Sequence, residues 1–249
     1  MSFQTAFITG ASSGLGRGLA LHYARHGTTV YAAARRVDAL ESLVAEAKDA
    51  SGKIVPVELD VANTDALVAA IRNAEAASGG ALDLVIANAG TSQSGRKIQD
   101  QKLEPMAQLF DINVRAACLT ITAALPAMVA KKSGTVVGIS SIAAWRGLPV
   151  TAAYSASKAA LDVFLESCRV DLHGTGVHAL TIYPGFVKTE LTAKRKKKMP
   201  FLMELDDAVR IMARGIDRGQ ARIAFPWQTA TVMRTVGALP GWLYERFAD

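Results

Sequence analysis

The sequence predicts an α/β fold, a Rossmann-like doubly wound parallel sheet with helices on both faces, from three observations. Short apolar runs alternate with stretches of helical periodicity, as βαβ units do. A glycine-rich segment, Thr9-Gly10-Ala11-Ser12-Ser13-Gly14-Leu15-Gly16, separates the first apolar run from the first helical stretch. With 249 residues, half of them apolar, the chain can bury a large core without disulfides or metals. No Pro/Gly/Ser-rich linker or shift of composition divides it, so one domain over residues 1–249 is expected.

In chain order, residues 3–8 read as a strand ending in Thr9-Gly10, and residues 15–25 as a helix. A second strand follows at 29–34, a helix at 37–50, a third strand at 54–59, a helix at 65–77 and a fourth strand at 82–87. A long helix is expected over 104–130, a fifth strand over 134–139, a helix over 153–173 and a sixth strand over 177–183. Right-handed crossovers place the ligand crevice at the strands' carboxyl ends, here Gly10, Arg35, Asp60, Asn88, Ser140 and Pro184.

The net charge of +6 suits an anionic partner without choosing between nucleotide, nucleic acid and membrane. Five of the 28 basic residues form one run, Lys194-Arg195-Lys196-Lys197-Lys198, and the remainder is close to balanced. No aromatic residue interleaves with that run and no recognition motif accompanies it, so nucleic acid is not expected as a partner. Cys118 and Cys168 fit neither a redox pair nor a zinc site, and no metal is expected. Two cysteines, no secretory leader pattern and no unbroken apolar segment of about 18 residues point to a soluble, cytoplasmic protein.

Three constellations carry chemistry. The glycine-rich turn opens a helix, where backbone N–H groups and the helix dipole favour a pyrophosphate; taken alone, it also reads as a simple strand-to-helix corner. Tyr154 and Lys158 lie four apart at a helix start and so share a face. An ammonium beside a phenol lowers its pKa from about 10 toward neutrality, which fits proton transfer. Ser141 ends the fifth strand, placing a hydroxyl near the same crevice, where it can hold a substrate oxygen. In isolation, Tyr154 reads equally as a packed aromatic and Lys158 as solvated surface.

Together with Asn88-Ala89-Gly90, Asn113, Tyr154-Ser155-Ala156-Ser157-Lys158 and Pro184-Gly185, these segments resemble the short-chain dehydrogenase/reductase family over roughly residues 3–190. The resemblance implies Tyr154 as catalytic acid/base and Lys158 as the group that lowers its pKa and holds the nicotinamide ribose. Ser141 would orient the reacting oxygen, and Asn113 would hold a water in a relay with Lys158. It further implies cofactor contacts from Gly10, Ser12, Ser13, Gly14, Leu15 and Gly16 in the turn, Asp60 and Val61 at the adenine, and Asn88, Ala89 and Gly90 along the adenosine half. Pro184, Gly185, Val187 and Thr189 would meet the nicotinamide end. The sequence departs from the family at Ala87, where a second Asn is common, and at Gly138, where Asn is frequent.

The cofactor is expected to be NADP(H): Ala34 is neutral where NAD-preferring relatives carry an acid, and Arg35 and Arg36 follow at once, offering guanidinium groups to a 2′-phosphate. The expected function is NADP(H)-dependent interconversion of an apolar aldehyde or ketone and its alcohol. A non-catalytic nucleotide sensor or scaffold, the alternative, would be expected to break the tetrad, and all four positions are intact.

The resemblance also implies homo-oligomerisation as a dimer or tetramer through the two long helices, which carry Leu109, Ile112, Ala116, Leu119 and Ala123 on one and Ala160, Val163, Phe164 and Ser167 on the other. The tail lacks the glycine-rich ending common in tetrameric relatives. Residues 189–249 are expected to form a substrate lid and a variable C-terminal region. Met199, Phe201, Leu202 and Met203 supply an apolar mouth beside the basic run, and Val232, Val236, Leu239, Trp242, Leu243 and Phe247 form a stripe interrupted at Pro240-Gly241. That stripe reads as packing on its own domain and, beside five cations, also as a weak peripheral contact with an anionic membrane.

Overall fold

Alternating side chains decide the architecture. Along the strands, Ile8, Val30, Ala32, Ile86, Val137 and Ile182 enter one core, while Phe7, Tyr31, Val85, Val136 and Ala179 enter another on the opposite face. A sheet buried on both faces must be covered by helices twice, which is what its apolar runs require. The computed structural model describes residues 3–92, 97–193 and 199–247. Within them the sheet comprises β1 (Thr5–Thr9), β2 (Thr29–Ala34), β3 (Lys53–Glu58), β4 (Leu84–Ala87), β5 (Gly134–Ile139), β6 (Val177–Pro184) and β7 (Arg222–Phe225). All neighbours are parallel, in the order β3-β2-β1-β4-β5-β6-β7. The order reverses between β1 and β4, so a crevice opens at their carboxyl ends, beside Gly10 and Asn88.

One face carries α1 (Gly14–Arg25) and α2 (Val37–Glu46), and the other carries α3 (Thr64–Ala77). The Asn63 side chain caps α3 by accepting from Ala66 N–H at 3.1 Å. The long helix expected over 104–130 is present as α4 (Leu103–Phe110) and α5 (Ala117–Lys131), joined by a π-helical stretch, Asp111–Ala116. Its most apolar window reaches a mean hydropathy of 1.5, which the burial of Ile121, Ala124 and Met128 against the sheet accounts for. The last helix of this face, α6 (Ala152–Asp171), packs Leu161 and Leu165 onto β5. A Cβ at Gly138 would collide with Leu165, so this departure from the family pattern makes room for α6.

Of the stripe expected to mediate association on the long helix, Leu109 and Ala116 are buried, while Ile112, Leu119 and Ala123 are half-buried and pack against the core. The large apolar side chains that do face outward on α4 and α6 are Leu103 at 71%, Phe110 at 36%, Val163 at 62% and Val170 at 73% exposure. Residues 205–225, placed within the lid and variable region, instead belong to the body of the fold. There α8 (Leu205–Asp217) buries Ala208, Val209, Met212 and Ile216 in the same core as α1, and β7 extends the sheet. The flanks left at the cleft are α7 (Glu190–Ala193), residues 199–204, and the closing helices α9 (Trp227–Ala238) and α10 (Gly241–Phe247). The basic run Lys194 to Lys198, with the membrane contact assigned to it, lies outside the described residues.

Candidate active site

The glycine-rich turn is tied to β4 through Asn88. The Asn88 side-chain amide donates to the Thr9 carbonyl at 2.9 Å and the Gly10 carbonyl at 3.1 Å, and the Thr9 hydroxyl accepts from Asn88 and Ala89 N–H, both at 3.1 Å. Gly10 has φ +67, and a Cβ there would sit 2.8 Å from Ala89 Cα, so conformation and space both demand glycine. A Cβ at Gly16 would strike the Asn88 amide and the Gly10 carbonyl. Ser13 occupies the N-cap of α1 with extended backbone but makes no side-chain capping bond. A helix N-terminus without a side-chain cap, opening from a turn that has glycine at positions 10, 14 and 16, fits a phosphate.

Across the switch point Asn113 and Lys158 meet at Gly90, with Tyr154 one turn before Lys158, and Ser141 stands just beyond the end of β5. Asn113 sits in the π-helical stretch, fully buried. Its Oδ1 accepts from Thr91 N–H at 2.8 Å, while Nδ2 donates to the Thr91 carbonyl at 2.9 Å and to Ser157 Oγ at 3.1 Å. Ser157 donates in turn to the Tyr154 carbonyl at 2.8 Å. Lys158 Nζ donates to the Ile139 carbonyl at 2.8 Å and lies 5.9 Å from the Tyr154 ring centroid. Burial lowers its pKa from 10.5 to about 8. Gly90 is the meeting point: a Cβ there would be 3.4 Å from both Asn113 Oδ1 and Lys158 Nζ. Ser141 caps the short 3₁₀ turn Ile142–Ala144 by accepting from Ala143 N–H at 3.1 Å, and its hydroxyl reaches the Pro184 carbonyl at 3.5 Å.

The remaining assigned positions ring the same crevice. Arg35 pairs with Asp60 at 3.9 Å, joining the ends of β2 and β3, and Asp60 also accepts from Ala62 N–H at 3.0 Å. Arg36 reaches over the glycine-rich turn, donating to Ser12 Oγ at 3.2 Å, and pairs with Glu190 of α7 at 3.2 Å. Val61 is buried below the turn after β3. Gly185 N–H donates to the Phe225 carbonyl at 2.7 Å, and Pro226 Cδ would lie 2.9 Å from a Cβ on Gly185. Val187 is buried and bridges to Met203, while Thr189 faces Gly14, whose Cβ would lie 3.3 Å from its Cγ2. Sequence reasoning missed Glu190, a lone surface acid with no local signal. It also missed the hydrogen-bonding parts of Thr9 and Ser157, although both stand inside motifs it had singled out. Beyond Pro226, a groove of about 540 Å³ runs between Phe201, Leu202 and Met203 on one side and Phe225 and Trp227 on the other.

A crevice of this kind, at the switch point of an all-parallel sheet, defines the nucleotide-binding class of doubly wound proteins. The chain belongs to the short-chain dehydrogenase family, whose profile matches residues 4–200. It is 52% identical over 250 residues to an oxidoreductase of Myxococcus xanthus, covering all of this chain and 97% of the relative. It is 34% identical to an oxidoreductase of Mycobacterium tuberculosis, over 98% of this chain and 97% of that one. Among solved structures, a short-chain dehydrogenase from Streptomyces avermitilis superposes with a TM-score of 0.83 at 28% identity, covering 94% of this chain and 91% of its own. A metagenomic short-chain oxidoreductase in complex with NADP superposes with a TM-score of 0.76 at 28% identity, over 89% and 96% of the two chains.

Proposed function

We propose that this oxidoreductase interconverts a carbonyl and an alcohol using NADP(H), with Tyr154 as the acid/base. The observation that carries the reading is the convergence of Asn113 and Lys158 on Gly90, with Tyr154 one helical turn before Lys158. When bound, the nicotinamide supplies or accepts the hydride. The glycine-rich turn from Gly10 to Gly16 holds the pyrophosphate on the uncapped end of α1, and Asp60, Val61 and residues 88–90 line the adenosine half. Pro184, Gly185, Val187 and Thr189 hold the other end. Lys158, whose pKa near 8 leaves the amine charged at neutral pH, stabilises phenolate at Tyr154. Ser141 orients the substrate oxygen. Asn113 fixes the strand exit through Thr91 and holds the Ser157 hydroxyl beneath Tyr154.

NADP(H) rather than NAD(H) is supported by the neutral Ala34 and two exposed guanidinium groups, of which Arg36 already lies against Ser12 of the turn. The NADP bound by the metagenomic relative agrees with this preference. The apolar groove lined by Phe201, Leu202 and Trp227 favours an apolar carbonyl substrate. Tyr154→Phe tests the assignment: turnover with a panel of aldehydes and ketones is expected to fall by about 10²–10⁴. NADPH affinity is expected to stay unchanged. Near-normal turnover in that variant would overturn the role of Tyr154.

A further inference from the structure

Ser141 and Tyr154 are joined by one short stretch of chain, which, together with the bond from Ser140 Oγ to the Lys158 carbonyl at 2.9 Å, ties the end of β5 to the start of α6. It runs from the turn Ile142–Ala144 through residues 145–151 into α6. Its end is anchored locally: Thr151 donates to the Leu148 carbonyl from its N–H at 3.3 Å and its hydroxyl at 2.9 Å, and its own carbonyl accepts from Ser155 N–H at 2.8 Å. Next to that anchor the backbone is strained. Val150 holds φ +56, a left-handed conformation that a β-branched residue adopts only when its surroundings impose it.

Residues 145–147 of the same stretch are held from the far end of the chain. Tyr244 of α10 donates its hydroxyl to the Gly147 carbonyl at 2.6 Å, and the Arg146 guanidinium lies 4.4 Å over the Tyr244 ring. From α9, Arg234 lies 5.2 Å from the Trp145 ring, and Gly237 comes so close that a Cβ would be 3.0 Å from the Trp145 carbonyl. Among the described side chains, none of residues 241–246 of α10 belongs to the two large core clusters. Its hold on the loop is therefore separable from the stability of the body of the fold.

We propose that Tyr244 and Arg146 are positioning residues, clamping the loop over residues 145–151 so that Ser141 and Tyr154 stand at the separation the reaction requires. The inference rests on the roles proposed for those two residues above. Deleting the hydroxyl alone, with Tyr244→Phe, keeps the ring under Arg146, whereas Tyr244→Ala removes both contacts.

The test measures backbone amide exchange over residues 145–151, NADPH affinity, and kcat and KM for a carbonyl substrate in wild type and both variants. Tyr244→Ala is expected to speed exchange in the loop, leave exchange in the sheet unchanged, and lower kcat about tenfold, the worth of a hydrogen bond and a ring contact together. NADPH affinity should remain within about twofold, because the glycine-rich turn is untouched, and Tyr244→Phe should fall between alanine and wild type. Unchanged loop exchange, or unchanged kcat in Tyr244→Ala beside an active wild type, overturns the clamp and leaves the proposed function standing. A wild type that transfers no hydride to any carbonyl overturns the proposed function, and the positioning role falls with it.

Discussion

Replacing Lys158 by methionine isolates what the fold spends on its buried ammonium. The side chain is 5% exposed, donates one hydrogen bond to the Ile139 carbonyl, and has its pKa lowered from 10.5 to about 8 by burial. At about 1.36 kcal/mol per pH unit, holding the charged form inside costs about 3 kcal/mol at pH 7. Methionine fills a similar unbranched volume without charge but leaves the Ile139 carbonyl short of a donor, a loss of about 1–3 kcal/mol. The variant should therefore be at least as stable as wild type at neutral pH while losing turnover.

The pH dependence makes the reasoning sharper. Because the folded pKa lies below that of the unfolded chain, the unfolded state binds more protons between about pH 8 and 10.5. The penalty is full below pH 8 and is relieved as pH rises through that window, so wild type gains about 3 kcal/mol relative to Lys158→Met. Urea denaturation without cofactor, at pH 7, 8.5 and 10, reads the difference when Lys158→Met is compared with wild type in a shared Tyr154→Phe background, which removes the titration coupled to Lys158. A difference constant to within about 0.5 kcal/mol across that range would refute the account.

Three further outcomes are expected. Gly10→Ala should lower stability by about 1–3 kcal/mol and weaken NADPH binding, because φ +67 and the 2.8 Å approach to Ala89 Cα leave no place for a methyl group; an unchanged Tm would contradict this. Ala34→Asp/Arg35→Ala should reverse the cofactor preference, measured as the ratio of NADPH to NADH affinity, and wild type that binds NADH more tightly would sink the NADP assignment. Light scattering at micromolar concentration should find a dimer or tetramer, given the exposed Leu103, Val163 and Val170 on α4 and α6, and a monomer alone would exclude it.

The parallel order and the crevice were legible because strands buried on both faces must be largely apolar, and β1, β2, β4, β5 and β6 are, with only threonines and His178 interrupting them. Boundaries drifted where caps were weak: the helix expected to reach residue 50 ends at Glu46, without a glycine or a basic last turn to mark it. The seventh strand was missed although α8 before it places Ala208, Val209, Met212 and Ile216 on one helical face; the adjoining basic run and Met-rich segment drew the whole region into a lid. The four residues of β7 carry too little periodicity to be recognised alone. At the site, residue types and spacing named the tetrad, but not its supports. The Arg36 contact with Glu190 and the Tyr244 contact with Gly147 join positions far apart in the chain, and no local pattern records such a pairing.

The π-helical stretch at Asp111–Ala116 amounts to one extra residue wound into a single turn, and an α-helix turns about 100° per residue. Everything after it is rephased relative to everything before it, so α4 and α5 do not present one continuous stripe to the sheet. Deleting a residue within this stretch would allow α-helical winding to continue from α4 into α5, its i→i−4 bonding interrupted only where Pro126 lacks an N–H. It would also swing Asn113 away from Thr91 and Ser157. Helical regularity and the seat of Asn113 are alternatives here, and the chain keeps the less regular winding.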